Sequence, residues 1–404
     1  MPAEEPLQYL KEHKVFIFFL ALIISSHYYY LYFVSFHEGV TQTPLAMQII
    51  KIFASALFYI SFFDFKKAKP KTDMLCISLY FSIIILLYKS TLFAINDFLF
   101  FNFFALSIPY ITYRPRLRTE LVNIFFPALV SILCIQITID YILVKYTHSI
   151  WENKAFIGGF GNPSTFGIIC NLAVAYMITR RHKCYHFIPL LIITYGACQT
   201  KSLATIAVLL TLYLLNIAHQ KDRYNILLAT FMATCAAVII FTNIEGHLAY
   251  KLQSLARYLD IPQHQLNSQN ELRTSAPIST SIGNRSLLYH HIMDELMANP
   301  IKILLLGSMT SFYASADSQL ITFANSFGII LSCTILYNLI FPFFSGIVYN
   351  SKYFSQSCGL IFIIYCASNR ILEYYPISFI LIILLGQLNA NRQHQVKVLS
   401  LSAK

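Results

Sequence analysis

A few polar residues stand apart in a chain built mainly of apolar side chains, and their types suit phosphate chemistry. Asn162 follows Gly158, Gly159 and Gly161 in "GGFGNPSTFG", and Lys201 lies in "CQTKS". Arg285 opens "RSLLYHHIMDEL", which carries His290 and His291. Asp317 precedes an apolar run, and Arg370 and Glu373 sit in "SNRILEYYP". Cations around one cavity would neutralise a diphosphate as it leaves. A carboxylate at the mouth would take the proton of an attacking sugar hydroxyl. Together these groups describe glycosyl transfer from a lipid diphosphate. The glycines and Pro163 interrupt a helix where its polar end would line such a cavity.

Each residue also has a plainer role. Arg285 fits a solvated helix position, and Lys201 fits a side chain that lays its stem on apolar surface. His290 and His291 suit an exposed helix face. Arg370 and Glu373 suit a surface ion pair of little energetic worth. Gly158, Gly159 and Gly161 suit a turn, and Asp317 a helix cap. No phosphate-binding loop, HExxH, GxSxG or dinucleotide fingerprint is present. The nine cysteines show no CxxC spacing, so neither disulfides, a metal nor another cofactor is expected.

The elements that must position these residues are apolar. The 404 residues are 57% hydrophobic and only 12% charged, against about 25% charged in a soluble domain. That composition predicts an all-α polytopic membrane protein. Apolar runs near 15–35, 45–63, 74–92, 96–112, 119–141, 164–179, 187–199, 202–218, 225–243, 319–347, 357–368 and 375–389 predict about twelve transmembrane helices. The run 187–218 is divided at "CQTKS", because a single crossing would put one flanking basic loop on the wrong side. Basic segments such as "DFKKAKPKTD" and "RRHKCYH", with both termini, are assigned to the cytoplasm. The +11 net charge follows from that bias, and no basic soluble patch points to nucleic acid.

Three stretches result: 1–243 with nine spans, a large outward loop at 244–318, and 319–404 with three spans and a tail. In the loop, Leu248, Leu252, Leu255 and Leu259 repeat at helical spacing. Leu288, Ile292 and Leu296 line a second amphipathic helix, which Asn299-Pro300 stops. The loop reads as a lid.

The order of these elements resembles the O-antigen polymerase and ligase superfamily of Gram-negative inner membranes. "GGFGNPSTFG" is similar to that family's Gly-x-Asn-Pro entry into a helix. "CQTKSLATIAVLL" is similar to its Thr-x-Ser/Thr-Arg segment, with Lys201 or Leu203 where the family has arginine. "GNRSLLYHHIMDELMANPIKILLLGSM" resembles its arginine, amphipathic helix, proline and Leu-Gly run. "ADSQLITFANSFGIIL" resembles the helix that re-enters the membrane, and the likeness covers about residues 155–350.

The resemblance implies a GT-C-like architecture and a metal-independent glycosyltransferase facing the periplasm. Its donor and acceptor would be undecaprenyl-diphosphate-linked glycans, with a chain-length regulator and a flippase as membrane partners. Asp317 and Arg285 would be catalytic. Lys201, Arg370, Asn162, Gly161, His290 and His291 would bind the diphosphate or sugar. Ligases of this class typically show His-Asn where this chain has Asp317-Ser318, which favours polymerisation over ligation to lipid A–core. A flippase or other transporter of such units remains the reading from another class.

Overall fold

In the computed structural model, residues 56–60, 70–88, 101–113, 120–146, 154–160, 162–179, 187–219, 223–242, 292–307, 318–348, 351–372 and 374–402 are described, with positions 14, 49, 53, 63, 64 and 99. Among the described residues the apolar runs fold as helices, whereas the expected span near 15–35 and the loop helix through Leu248, Leu252, Leu255 and Leu259 lie outside them. They are α1 (Thr72–Tyr88), α2 (Glu120–Tyr146), α3 (Pro163–Thr179), α4 (Phe187–Gln199), α5 (Leu203–His219) and α6 (Arg223–Thr242). After them come α7 (Pro300–Leu305), α8 (Gln319–Phe327), α9 (Ile329–Ser345), α10 (Lys352–Ser368) and α11 (Tyr375–Ser402).

α3 is the central strut. It packs against α2, α4, α5, α10 and α11, and its residues from Thr165 to Ile178 are all buried. Asn162 starts it: the side-chain Oδ1 accepts the Ser164 amide at 2.7 Å, and Pro163 takes the first helical position, where a missing N–H costs nothing. Aromatic side chains lock α2 and α10 onto α3. The Phe126 and Tyr176 rings stack at 4.8 Å, and Phe354 meets Phe126 edge-on at 5.5 Å. On α11, Asn389 Nδ2 donates to the carbonyls of Pro109 and Ile111, both at 2.8 Å, and the Tyr113 hydroxyl donates to the Ile383 carbonyl.

The single span expected over 319–347 is two helices. Gly328, at φ +82° and ψ 161°, breaks it, and the end of α7 fits into the notch. A Cβ on Gly328 would stand 2.7 Å from the Leu305 carbonyl carbon and 2.8 Å from the Leu306 nitrogen. Ile303 of α7 is buried with Ile292 and Ile321, so the helix over 292–298 and α7 share a small core with α8.

The expectation of about twelve transmembrane helices is overturned. Among the described residues one helix, Leu121–Tyr146, is long and apolar enough to cross a membrane. Six other apolar helices have only 10–17 residues. Seventeen residues at about 1.5 Å each reach about 25 Å, short of about 30 Å of hydrocarbon. A helix apolar all round has two solutions, a lipid crossing or a protein core, and α3 takes the second. The GT-C-like architecture and the multi-pass inner-membrane location, with a periplasmic site and cytoplasmic termini, depended on that count and fall with it. Large apolar side chains such as Leu79, Ile135, Leu214 and Leu227 nevertheless remain exposed on α1, α2, α5 and α6.

Candidate functional site

One end of the bundle gathers Asn162, Lys201 and Arg370, three of the residues marked by sequence. Hydrogen bonds from separate segments tie it together. Asn162 Nδ2 stands 3.5 Å from the Tyr374 hydroxyl, joining the start of α3 to the start of α11. Gln319 Oε1 accepts the amides of Ile371 and Leu372 at 3.1 and 3.0 Å, and the Gln319 amide donates to the Asn369 carbonyl at 3.1 Å. The segment that carries Arg370 is thereby fixed to the first turn of α8. Ser318 occupies the cap position there, and its hydroxyl donates to the Ala367 carbonyl at 2.9 Å.

On the other side, the Phe156 amide donates to the Gln199 carbonyl at 3.0 Å. Lys154 lies two residues before this contact and Lys201 two residues after it. Both have left-handed backbones, at φ 58° and 53°, and they are the two non-glycine residues with positive φ among those described. Neither is β-branched, yet the conformation disfavours any L side chain, and such strain tends to collect at functional positions. Lys154 is exposed and Lys201 half-buried. Burial, and after it the charge of Lys154, pushes the Lys201 ammonium below the ordinary lysine value.

Beneath this end lies a buried polar floor. The Tyr365 hydroxyl donates to Thr205 Oγ1 at 2.8 Å, and Asn171 Nδ2 donates to Tyr365 Oη and the Thr205 carbonyl, each at 3.1 Å. These bonds fix α3, α5 and α10 in register. They set the first turn of α5, just after Lys201, level with α3. Helix starts carry partial positive charge, so the dipoles of α3 and α5 add to the two lysines.

Arg285, Asp317, Gly161, His290 and His291 lie outside the described residues, as does Glu373. The Ile157 and Gly158 amides both donate to Asp140 Oδ2, at 2.9 and 2.6 Å. Asn162 likewise spends its Oδ1 on capping α3. Lys154, Asp140, Gln319 and Tyr374 were missed. Asp140 carried a visible signal, as the one charged residue between Glu120 and Lys145.

No family model matches the chain, and no curated protein and no solved structure matches it. The likeness to the O-antigen polymerase and ligase superfamily is therefore not supported. Polymerisation or ligation of O-antigen, and the transport of its units, rested on that likeness and on the span count, and both are withdrawn.

Proposed function

We propose that the lysine end of the bundle binds a diphosphate group, and that the chain is a metal-independent glycosyltransferase whose donor carries its sugar on that diphosphate. The observation behind this reading is the pairing of Lys154 and Lys201. Two like charges at neighbouring left-handed positions repel each other, and an anion bound between them relieves that repulsion. The starts of α3 and α5 add positive potential at the same end. Neutralising a departing diphosphate with side-chain ammonium groups is the chemistry such a pair supplies.

The test begins with inorganic pyrophosphate titrated calorimetrically into the purified full chain. Lys201→Met and Lys154→Met are each expected to weaken binding about tenfold, the equivalent of about 1.4 kcal/mol. A glycosyl diphosphate and a hydroxyl acceptor, with no metal added, should then release diphosphate. Failure of the wild-type chain to bind pyrophosphate would reject the site, whereas binding without turnover would reject the transferase reading alone.

A further inference from the structure

We infer that Asp140 is the positioning residue of the lysine pair, holding the Lys154–Phe160 segment so that Lys154 faces Lys201. The inference rests on the anion-binding reading above and names the group on which that site's geometry depends.

Asp140 sits near the end of α2 with no exposed surface, in a stretch of apolar residues. A carboxylate is costly to bury unless it is hydrogen-bonded, so its partners reveal its role. One oxygen, Oδ2, accepts the successive amides of Ile157 and Gly158. This arrangement requires a backbone that turns sharply after Ile157. Gly158 (φ +56°) and Gly159 (φ +74°) supply the turn, and the Phe160 amide closes it on the Ile157 carbonyl at 2.8 Å. A side chain at 158 would run into the Phe166 ring.

The opposite edge of the segment is held by the Phe156 amide on the Gln199 carbonyl. The Phe156 ring meets Tyr195 of α4 at 5.9 Å. The segment therefore has two anchors, Asp140 on α2 and Gln199 on α4. Without the first, the turn loses the acceptor for two of its amides, and Lys154 is held through the Phe156 bond and the buried side chains of the segment, among them Phe160 stacked on Phe166. Asp140 does not touch the ligand position; it acts through the two amides.

The experiment compares the full-length wild type with Asp140→Asn and Asp140→Ser, using inorganic pyrophosphate as the probe. Affinity is read across alkaline pH, and amide exchange is followed over residues 155–160. Asparagine keeps one oxygen that can accept both amides, whereas the shorter serine cannot reach. The asparagine variant should keep its two amides protected and bind more tightly than the serine variant. The serine variant should bind about tenfold more weakly, as for one lost charge-assisted contact. Its affinity should also persist to higher pH, since Lys201 is released from Lys154. A merely structural role would not move that pH profile.

A folded serine variant with wild-type affinity and profile would overturn the inference. If serine prevents folding, the asparagine variant decides. Fast exchange at Ile157 and Gly158 with unchanged binding would overturn the inference, and exchange and affinity that change together or stay together would support it. No binding by the wild type overturns the anion site itself, and this role with it.

Discussion

Lys154 and Lys201 flank the hydrogen bond from the Phe156 amide to the Gln199 carbonyl, the charge of Lys154 acts on Lys201, and both hold left-handed backbones. Two ammonium groups so arranged have a measurable consequence for pH. Burial and the neighbouring charge lower the folded-state pKa of Lys201 below the usual 10.5. Between that lowered value and 10.5 the unfolded chain binds more protons, so stability should rise with pH there. Below the window the penalty is fully present. Anion binding runs the other way, since it needs the protonated amine and is lost as pH climbs through the window. Lys154→Met should move the falling edge of pyrophosphate affinity to higher pH. A calorimetric pH series on both proteins measures the displacement.

Gly158 makes the turn that Asp140 caps, and a side chain is excluded there for two reasons. Its φ of +56° costs an L residue about 1–2 kcal/mol. A Cβ would also displace the Phe166 ring, which is fully buried at the base of the segment. Gly158→Ala should therefore lower the unfolding free energy by more than the backbone figure alone. Denaturant titration with an unchanged slope would assign the loss to the folded state. Pyrophosphate affinity should fall in the same variant.

The polar floor should be coupled to stability more than to ligand. Tyr365→Phe deletes the hydroxyl that donates to Thr205 and accepts from Asn171. Thr205 Oγ1 loses its donor while Asn171 Nδ2 keeps the Thr205 carbonyl, and a buried group left unsatisfied costs about 1–3 kcal/mol. Thr205→Val removes the other end of one of those bonds. A double-mutant cycle should give a sub-additive loss, because the second substitution removes a group the first already stranded. Pyrophosphate affinity should stay within about threefold of wild type, a difference under about 1 kcal/mol.

The positions of the helices were legible in sequence, and their environment was not. "FGNPSTFG" announces the start of α3, since Asn162 is a capping type and Pro163 suits the first helical position. Asn299-Pro300 likewise marks where the helix over 292–298 gives way to α7. The misreading came where an apolar run has two physical solutions. The run 164–179 is apolar on every face, and composition does not say whether lipid or protein surrounds it. Gly328 was hidden for a related reason. A glycine inside an apolar run is often tolerated in a helix, and only the approach of the Leu305–Leu306 backbone explains the break. Lys201 was visible as a cation at a turn, whereas Lys154 becomes significant only through a contact made in three dimensions. Asp140 stands outside every polar cluster of the sequence, although a lone acid in an apolar helix is itself a signal.

Gln319 offers the cleanest separation of architecture from charge. Its Oε1 accepts two successive amides, from Ile371 and Leu372, directly after Arg370. Gln319→Leu keeps the bulk but strands both donors in a buried place, at about 1–3 kcal/mol each. It should also loosen residues 370–372, which stay tied to α8 through the Gln319 amide on the Asn369 carbonyl, and with them the register of Arg370 and Tyr374 beside Asn162. Gln319→Glu restores an acceptor, and its negative charge is favoured at the start of α8. Thermal unfolding should therefore rank wild type and Gln319→Glu together, with Gln319→Leu well below. If the Arg370 segment completes the anion site, pyrophosphate affinity should follow the same order. Equal affinity in all three proteins, alongside the stability loss in Gln319→Leu, would confine the site to the lysine side of the bundle.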